Sequence, residues 1–421
     1  MATTTIPWGD GSGDNIYLDY PSASGDQTVT VTSDANTGSA RTKTVTFSAT
    51  GATSVTLTVI QAAGAVQPTF YDYLLFDGVA YINTDIHPEQ DSSYQVSGGG
   101  EINVAAQRMF QVTSSEGTYI NVLLSSSTTT SKRVFSIYYN SSSTASTLDL
   151  IWGYPFYGFF LTPKGRGTGD SYGTFTKGNG SPNGVLVIGT NDAHSGNPYS
   201  GALGVFNLYD SGAQNASTYS QLSEFTPYKT LRPCMYNGQD GYWNVEENKF
   251  YGNSASGGTL VACSRAQITP SSYDSTDKSY HAISSTSSAY TGYSSTTYSS
   301  ITLTRGSGAE SYVYFKFNTS SIPENATIYR VVCSAGLAKS QTNSSVIASA
   351  TAQLCSGTAL KGNATTITST SRTLYRMDTG SWTRQELSNV RIKLYGKRGT
   401  SNVNTNHTIY FYGATLYVFW R

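Results

Sequence analysis

Side chains that could carry out catalysis are present, but their spacing does not bring them together. Glu246 and Glu247 are adjacent, so on a strand their carboxylates would point to opposite faces. Glycoside hydrolysis needs two carboxylates that face each other across the scissile bond. None of the four histidines stands at metal-ligand spacing from another: His87, His194, His281 and His407. We therefore interpret the glutamate pair as surface charge and expect a protein that is not an enzyme, with no catalytic residue, cofactor or metal.

One polar loop leaves a second interpretation open. Residues 191–194 read Asn-Asp-Ala-His, and carboxylate and amide oxygens are the ligands that calcium prefers. A single aspartate gives little support to a calcium site, so we do not predict one. No Gly-x-Ser-x-Gly elbow and no Cys-His signature of a nucleophilic enzyme occurs.

Carbohydrate binding fits the residue types better than catalysis does. Sugars present apolar C–H faces edged by hydroxyl groups, so aromatic rings stack on the faces while Asn, Asp and Tyr side chains bind the hydroxyls. The alternative is that the aromatic side chains belong to the core of the strands that carry them. The candidate binding residues are Trp152, Tyr154, Tyr157, Asn191, Asp192, His194 and Trp243.

The composition excludes several classes of protein. Charged residues make up only 12% of the chain and the net charge is zero. A nucleic-acid-binding protein would carry a basic stripe, and binding to an anionic membrane surface would need basic clusters. Aromatic residues make up 13%, with 32 tyrosines, which is typical of many short strands and not of disorder.

The start of the chain shows no export signal. MATTTIPWGDGSGDN has neither a basic region nor an apolar stretch. No run approaches the roughly 18 apolar residues of a membrane-spanning helix, so we expect no membrane insertion. A surface-type composition without a leader favours a phage virion protein that is made in the host cytoplasm and released by lysis. The alternative is an extracellular protein whose leader has been removed.

Residues 1–66 are predicted to form the first domain. Polar and apolar residues alternate at 15–20, 27–32, 44–48 and 54–61, which indicates half-buried antiparallel strands. The first 14 residues, with Trp8 among Gly and Asp, are predicted to be an arm. We expect it to dock onto other virion proteins through Ile6, Pro7 and Trp8, or else to be a disordered tail.

This first domain resembles the back half of a BACON-type immunoglobulin-like domain. The resemblance rests on Ala35-Asn36-Thr37, Arg41-Thr42-Lys43 and the closing Val59-Ile60-Gln61-Ala62. The family's front half is largely absent, so its carbohydrate binding is not carried over. A domain this small is marginally stable alone, and we expect it to pack against a partner.

Residues 69–263 are predicted to form the central domain. The segment 229–253, KTLRPCMYNGQDGYWNVEENKFYGN, reads as strand, turn, strand, turn, strand. It resembles the closing segment of concanavalin-A-like (laminin-G-like) jelly rolls that occur in phage structural and adhesion proteins. Asn244 stands where that pattern has an aspartate, so no role of that carboxylate is carried over.

Residues 264–421 are predicted to form the last domain. A strand at 311–317, a turn at 320–328 and a long strand at 409–418 resemble the β-sandwich of DNRLRE-type surface and phage proteins. Residues 382–388 are expected to form one short helical turn. Four cysteines allow one disulfide in each of the last two segments, but cytosolic synthesis favours free, buried thiols: Cys234, Cys263, Cys333 and Cys355.

These observations predict an all-β chain of tandem antiparallel β-sandwich and jelly-roll domains. The first function hypothesis is a phage head fibre, capsid decoration or tail fibre that attaches to host-surface or mucin-type glycans. The second is a secreted or surface carbohydrate-binding protein of a gut bacterium, and the third is a purely structural virion protein. A homo-oligomer, dimer or trimer, is expected.

Overall fold

The protein is represented by a computed structural model. The structure describes residues 2–20, 28–36, 38–48, 50–51, 53–62, 64, 67–100, 107–114, 117–126, 133–139, 146–149, 157–163, 165–168, 171–174, 182, 184–190, 198–274, 298–304, 306–379, 382–401 and 404–421.

The chain divides into two compact units, Met1–Thr69 and Phe70–Arg421. Both are built from antiparallel strands, as the alternation of polar and apolar residues predicts. The all-β prediction is confirmed. In the part of the chain that the structure describes, no helix is long and apolar enough to span a membrane.

The first unit contains a three-stranded sheet and a hairpin. The sheet consists of β1 (Ala2–Pro7), β2 (Asn15–Tyr20) and β3 (Thr30–Ser33), and the hairpin of β4 (Arg41–Phe47) and β5 (Val55–Gln61). Each of the four predicted strands overlaps one of β2 to β5. The apolar faces enclose a small core centred on Trp8, Ile16 and Leu18.

The prediction that the first 14 residues form an arm is wrong. Strand β1 pairs with β2 from Ala2↔Tyr20 to Pro7↔Asn15. Trp8 is only 5% exposed, and the Arg41 guanidinium lies 4.5 Å from the centroid of its ring. The threonine-rich stretch looks polar in the sequence. It nevertheless forms a strand, because its backbone groups make hydrogen bonds to β2 and because burial of the adjacent Trp8 ring is favourable.

The boundary between the two units falls inside the short strand β6 (Thr69–Phe70), and the second unit begins at Phe70. Its further strands are β7 (Tyr73–Asp77), β8 (Ile82–Asn83), β9 (Ser93–Gly100), β10 (Gln107–Ser114), β11 (Gly117–Ser126), β12 (Arg133–Tyr139), β13 (Ser146–Asp149), β14 (Tyr157–Leu161), β15 (Gly165–Thr168), β16 (Ser171–Thr174), β17 (Val187–Ile188), β18 (Ser200–Tyr209), β19 (Lys229–Tyr236), β20 (Gln239–Asn244), β21 (Lys249–Gly252), β22 (Leu260–Ile268), β23 (Pro270–Tyr273), β24 (Ser299–Leu303), β25 (Glu310–Phe317), β26 (Ile328–Lys339), β27 (Ile347–Ser356), β28 (Ala359–Thr366), β29 (Thr373–Thr379), β30 (Val390–Arg398) and β31 (His407–Trp420).

The first half of this unit is a sandwich of two sheets. One sheet has the order β13-β12-β11-β10-β17-β8, and the other begins β16-β15-β14-β9-β18-β7. Aromatic rings from the two sheets meet between them. Phe110 of β10 lies 5.7 Å from Tyr94 of β9 and 4.9 Å from Phe206 of β18, measured between ring centroids.

The second half is another sandwich. Strands β24, β31, β26 and β29 face the sheet β23-β25-β30-β27-β28. The rings of Phe315 and Phe411 stack between them at 3.9 Å. The short helix α2 (Arg384–Leu387) lies where a helical turn is predicted. Thr383 and Glu386 cap it reciprocally and so satisfy backbone N–H groups at its start. A second short helix, α1 (Tyr219–Leu222), follows a 3₁₀ turn at Ser211–Ala213 in the first half.

The two sandwiches share strand β22. Its first half pairs with β7, from Leu260↔Phe76 to Cys263↔Tyr73, and its second half pairs with β31, from Ser264↔Trp420 to Ile268↔Leu416. A separate hydrophobic cluster seals this junction and includes Leu75, Cys263, Val332, Tyr417 and Phe419. One continuous sheet therefore runs through the two sandwiches, and the predicted boundary at 263/264 falls inside β22.

All four cysteines are free and buried. Burial raises the pKa of the Cys234 thiol to about 12 and that of Cys355 to about 11. Burial likewise raises the pKa of Cys263 and Cys333. A buried protonated thiol behaves as a small apolar side chain, which agrees with the expected structural role.

The shared strand predicts that the two sandwiches unfold together. Replacing Phe419 by alanine should lower the free energy of unfolding by about 3–5 kcal/mol, because it empties a buried ring site in the junction cluster. Calorimetry of Phe419→Ala should show one transition for residues 70–421, moved to lower temperature. Phe225→Ala is the matched control, since Phe225 is 41% exposed and its loss should cost about 1 kcal/mol or less. Two separate transitions, with only one moved, would contradict the shared-sheet interpretation.

Candidate functional site

The most distinctive surface of the described residues lies on strands β19, β20 and β21. These strands form an antiparallel meander whose first turn is Asn237-Gly238, both with positive φ, as predicted. Trp243 lies on the central strand. It is paired directly with Arg232 on one side and with Phe250 on the other, so the three side chains share one face.

Three aromatic rings meet on this face. The ring of Tyr236 lies 5.0 Å from that of Trp243 and 5.5 Å from that of Phe250, between centroids. All three side chains are partly exposed. Gly241 makes this arrangement possible, because a Cβ at that position would lie 2.9 Å from the Phe250 ring and 2.2 Å from the Tyr251 carbonyl oxygen.

An exposed cation extends the aromatic surface. The Arg232 guanidinium lies 4.2 Å from the centroid of the Phe70 ring, and Phe70 is 38% exposed. Stacking on the ring orients the guanidinium and leaves its edge available to hydrogen-bond acceptors. We call the surface formed by Phe70, Arg232, Tyr236, Trp243 and Phe250 the aromatic ledge.

The opposite face of the meander fixes the aromatic ledge to the sandwich. Tyr242 is fully buried and donates a hydrogen bond to the Gly204 carbonyl oxygen at 2.9 Å. Tyr251 donates to the Asp85 carboxylate, which also pairs with Lys249. The hydrogen bonds from Lys249 and Tyr251 lower the pKa of Asp85. The ledge therefore rests on a rigid, buried base.

The Asn244 side chain stabilises the turn between β20 and β21. Its side chain is fully buried, and its Oδ1 accepts a hydrogen bond from the Glu247 backbone N–H at 3.3 Å. Glu247 also pairs with Lys229, and Glu246 accepts from the Thr230 backbone N–H at 2.7 Å. The two glutamates are thus engaged in holding the turn between β20 and β21 against β19.

The structure describes the side chain of only one of the predicted binding residues, Trp243. Trp243 is partly exposed at the centre of the aromatic ledge. Tyr157 lies at the start of β14, paired with Gly98, and its side chain is not described. Five predicted residues lie outside the described residues: Trp152, Tyr154, Asn191, Asp192 and His194.

Four members of the aromatic ledge were missed by sequence analysis. Arg232, Tyr236 and Phe250 flank Trp243 only through cross-strand register, and Phe70 meets Arg232 from a distant strand. The signal that could have found the first three is the pair of tight turns. Counting outward from each turn places Arg232 and Phe250 opposite Trp243.

The predicted docking residues lie in the first unit. Trp8 is buried in the core of that unit, Ile6 packs against the same core, and Pro7 is exposed. Ser12 and Arg41 donate hydrogen bonds to Asp10 and hold the pKa of its carboxyl well below the usual range. These contacts tie the turn after β1 to β4, and the docking role of the segment remains a prediction.

No group of three metal-ligating side chains occurs among the described residues. The aromatic ledge likewise presents no carboxylate on its own face. Its chemistry is that of flat apolar rings beside one cation, which suits binding of a ligand with apolar faces and polar edges.

Comparison with known proteins identifies no family. No protein-family model matches the chain, and no curated protein is significantly similar to it. Among solved structures, it is similar to domains LG4-5 of the mouse laminin alpha1 chain, with a TM-score of 0.26 and 8% identity over 84% of this chain and 83% of that one.

Two further solved structures show similarity at the same low level. Infectious bursal disease virus, Gt strain, has a TM-score of 0.20 and 9% identity over 91% of this chain and 72% of that one. The Clostridium perfringens ZmpB structure, an M60 catalytic domain with CBM51-1 and CBM51-2 domains, has a TM-score of 0.20 and 10% identity over 100% of this chain and 42% of that one.

The close approach at Gly241 predicts that any side chain there disrupts the aromatic ledge. Gly241→Ala should cost about 1–3 kcal/mol in the free energy of unfolding, because the new methyl group meets Phe250 and the Tyr251 carbonyl. Gly257→Ala is the control, since its Cβ would have no neighbour within 4 Å. Urea titration of both variants measures the difference. Equal stability of the two variants would show that the rings do not depend on Gly241.

Proposed function

We propose that this protein is a non-enzymatic adhesion protein of a phage virion, either a head fibre, a capsid decoration or a tail fibre, that binds glycans through the aromatic ledge. The observation that carries the proposal is the cluster of partly exposed rings around Trp243 on a buried, hydrogen-bonded base. The N-terminal unit would attach the protein to other virion proteins, and the chain would assemble as a dimer or trimer.

The physical case for glycans rests on ring geometry. The C–H face of a pyranose is apolar, and water leaves it readily when it stacks on an aromatic ring. Trp243 offers the widest ring of the ledge, with Tyr236 and Phe250 beside it. The Arg232 guanidinium lies at the side of this surface and can donate to sugar hydroxyls. Rings that are already fixed by packing lose little conformational freedom on binding.

The bulk composition supports a virion location. The chain is rich in uncharged polar residues and tyrosine, and only 12% of its residues are charged. The alternative is a secreted or surface carbohydrate-binding protein of a gut bacterium, which would use the same aromatic ledge. The two differ in where the protein is found and not in the chemistry of the site.

The ledge predicts loss of glycan binding in point variants. Purified protein should bind at least one polysaccharide in a panel of bacterial surface polysaccharides and mucin-type glycans. Trp243→Ala should weaken that binding by roughly tenfold or more, because it removes the central stacking ring. Arg232→Gln should weaken it less and leave the fold intact, since Arg232 is exposed.

Phe225→Ala is the control for this experiment, because it removes an exposed ring outside the aromatic ledge. It should bind as the unchanged protein does. If the folded protein binds no member of the panel, or if Trp243→Ala and Arg232→Gln both bind normally, the aromatic ledge is not a glycan site. A purely structural virion role would then be favoured.

A further inference from the structure

The outer face of the last sandwich carries a second unusual surface. Strands β25 and β30 pair so that Glu310 lies opposite Lys397, Tyr312 opposite Tyr395, Tyr314 opposite Lys393 and Lys316 opposite Arg391. The alternate residues of both strands, Val313, Phe315, Ile392 and Leu394, are in the core. Tyrosines and cations therefore line one outer face together, and we call it the basic tyrosine face.

The charge balance of this face differs from that of the chain. Arg391, Lys316, Lys393 and Lys397 contribute four positive charges, while the chain as a whole has no net charge. Lys316 and Arg391 share the single carboxylate of Asp274, at 3.4 Å and 3.0 Å. Lys397 pairs with Glu310 at 2.8 Å. Against two carboxylates, the four cations leave a local excess of positive charge.

Lys393 lies at the centre of this excess. Its ammonium nitrogen lies 4.9 Å from the Tyr312 ring centroid and 5.7 Å from that of Tyr395. Within the described part of the chain it forms no ion pair. Two rings therefore hold it in place by cation–π attraction without neutralising its charge. A cation held in this way loses little side-chain freedom when an anion binds.

Hydrogen-bonding side chains flank the cations. Strand β27 lies beside β30 and presents Ser349, Thr351 and Gln353 opposite Lys397, Tyr395 and Lys393. All three are partly exposed, and the residues between them, Ala350 and Ala352, are in the core. The face thus combines fixed cations with a row of hydroxyl and amide groups.

From this combination, we propose that the basic tyrosine face binds anionic polysaccharides, with carboxylate or sulfate groups on Lys393 and Arg391 and sugar hydroxyls on the β27 row. Cations two residues apart on a strand stand about 7 Å apart, so they can meet successive acidic groups of an extended chain. This site is separate from the aromatic ledge, and it does not depend on glycan binding there.

A nucleic acid fits this face less well. Tight binding of nucleic acid relies on many phosphate contacts, and two carboxylates here already offset part of a small set of cations. Binding of single strands also needs open ring faces for base stacking. Here the Lys393 ammonium lies over the rings of Tyr312 and Tyr395, and Tyr314 is only 9% exposed.

The test is a titration of the full-length protein with defined polymers at low salt. Polygalacturonate represents carboxylated chains, dextran sulfate represents sulfated chains, and neutral dextran is the blank. Either anionic polymer should bind, with affinity that falls as sodium chloride is added. Lys393→Gln should weaken binding by roughly tenfold, which corresponds to the loss of one charge-assisted contact. Lys393→Arg should retain it, and the preferred polymer identifies the acidic group.

Lys249→Gln is the matched control. Lys249 also lies over a tyrosine ring, that of Tyr251 at 5.4 Å, but its charge is paired with Asp85. Its replacement should leave polymer binding unchanged, and so should Phe225→Ala, which removes an exposed ring outside both surfaces. The proposal is overturned if neither anionic polymer binds, if Lys249→Gln weakens binding as much as Lys393→Gln, or if single-stranded DNA binds more tightly in a Lys393-dependent way.

Discussion

The pairing of one strand with two sandwiches is the constraint on which the second unit depends. Strand β22 completes the sheet of the first sandwich through β7 and that of the second through β31. Cutting the chain there would expose two sheet edges, which are prone to pairing with other chains. Arg421 strengthens the same junction, since its guanidinium binds Asp240 at 2.6 Å and lies over the rings of Tyr71 and Tyr329.

This shared sheet has a consequence for binding. The aromatic ledge belongs to the first sandwich and the basic tyrosine face to the second, and both are parts of one compact unit. A polysaccharide that reached both surfaces would gain a high effective concentration at the second one after binding the first. A flexible linker between the sandwiches would give a weaker gain, because the distance between the sites would vary.

Cations resting on aromatic rings recur through this weakly charged chain. A cation over a ring is oriented without an acidic partner, so its charge can still attract an anion. In the first unit, by contrast, the Arg41 guanidinium lies over the Trp8 ring and forms ion pairs with Asp10 and Asp14. Its charge is therefore balanced by acidic side chains within the unit. Two pairs of this kind in the second unit are Arg232 with Phe70 and Lys393 with Tyr312.

The sequence by itself determined the class of fold and most local elements. Alternation predicted β2 at its observed bounds, and Asn237-Gly238 predicted the tight turn between β19 and β20. These signals are local, because a strand's period and a turn's backbone angles depend on a few neighbouring residues. The same signals failed for β1, whose threonine-rich stretch looks like a polar arm until β2 pairs with it.

Only the tertiary structure decided which side chains meet. In β31, Ile409 and Phe411 face the core, but after Gly413, with φ of 103°, the core positions shift to Ala414 and Leu416. This bulge turns Tyr417 and Phe419 toward the other sandwich. The sequence pattern does not predict that the strand changes face at one residue. Nor does it predict pairing with a strand about 150 residues away. The aromatic ledge and the basic tyrosine face arise in the same way, from register between strands.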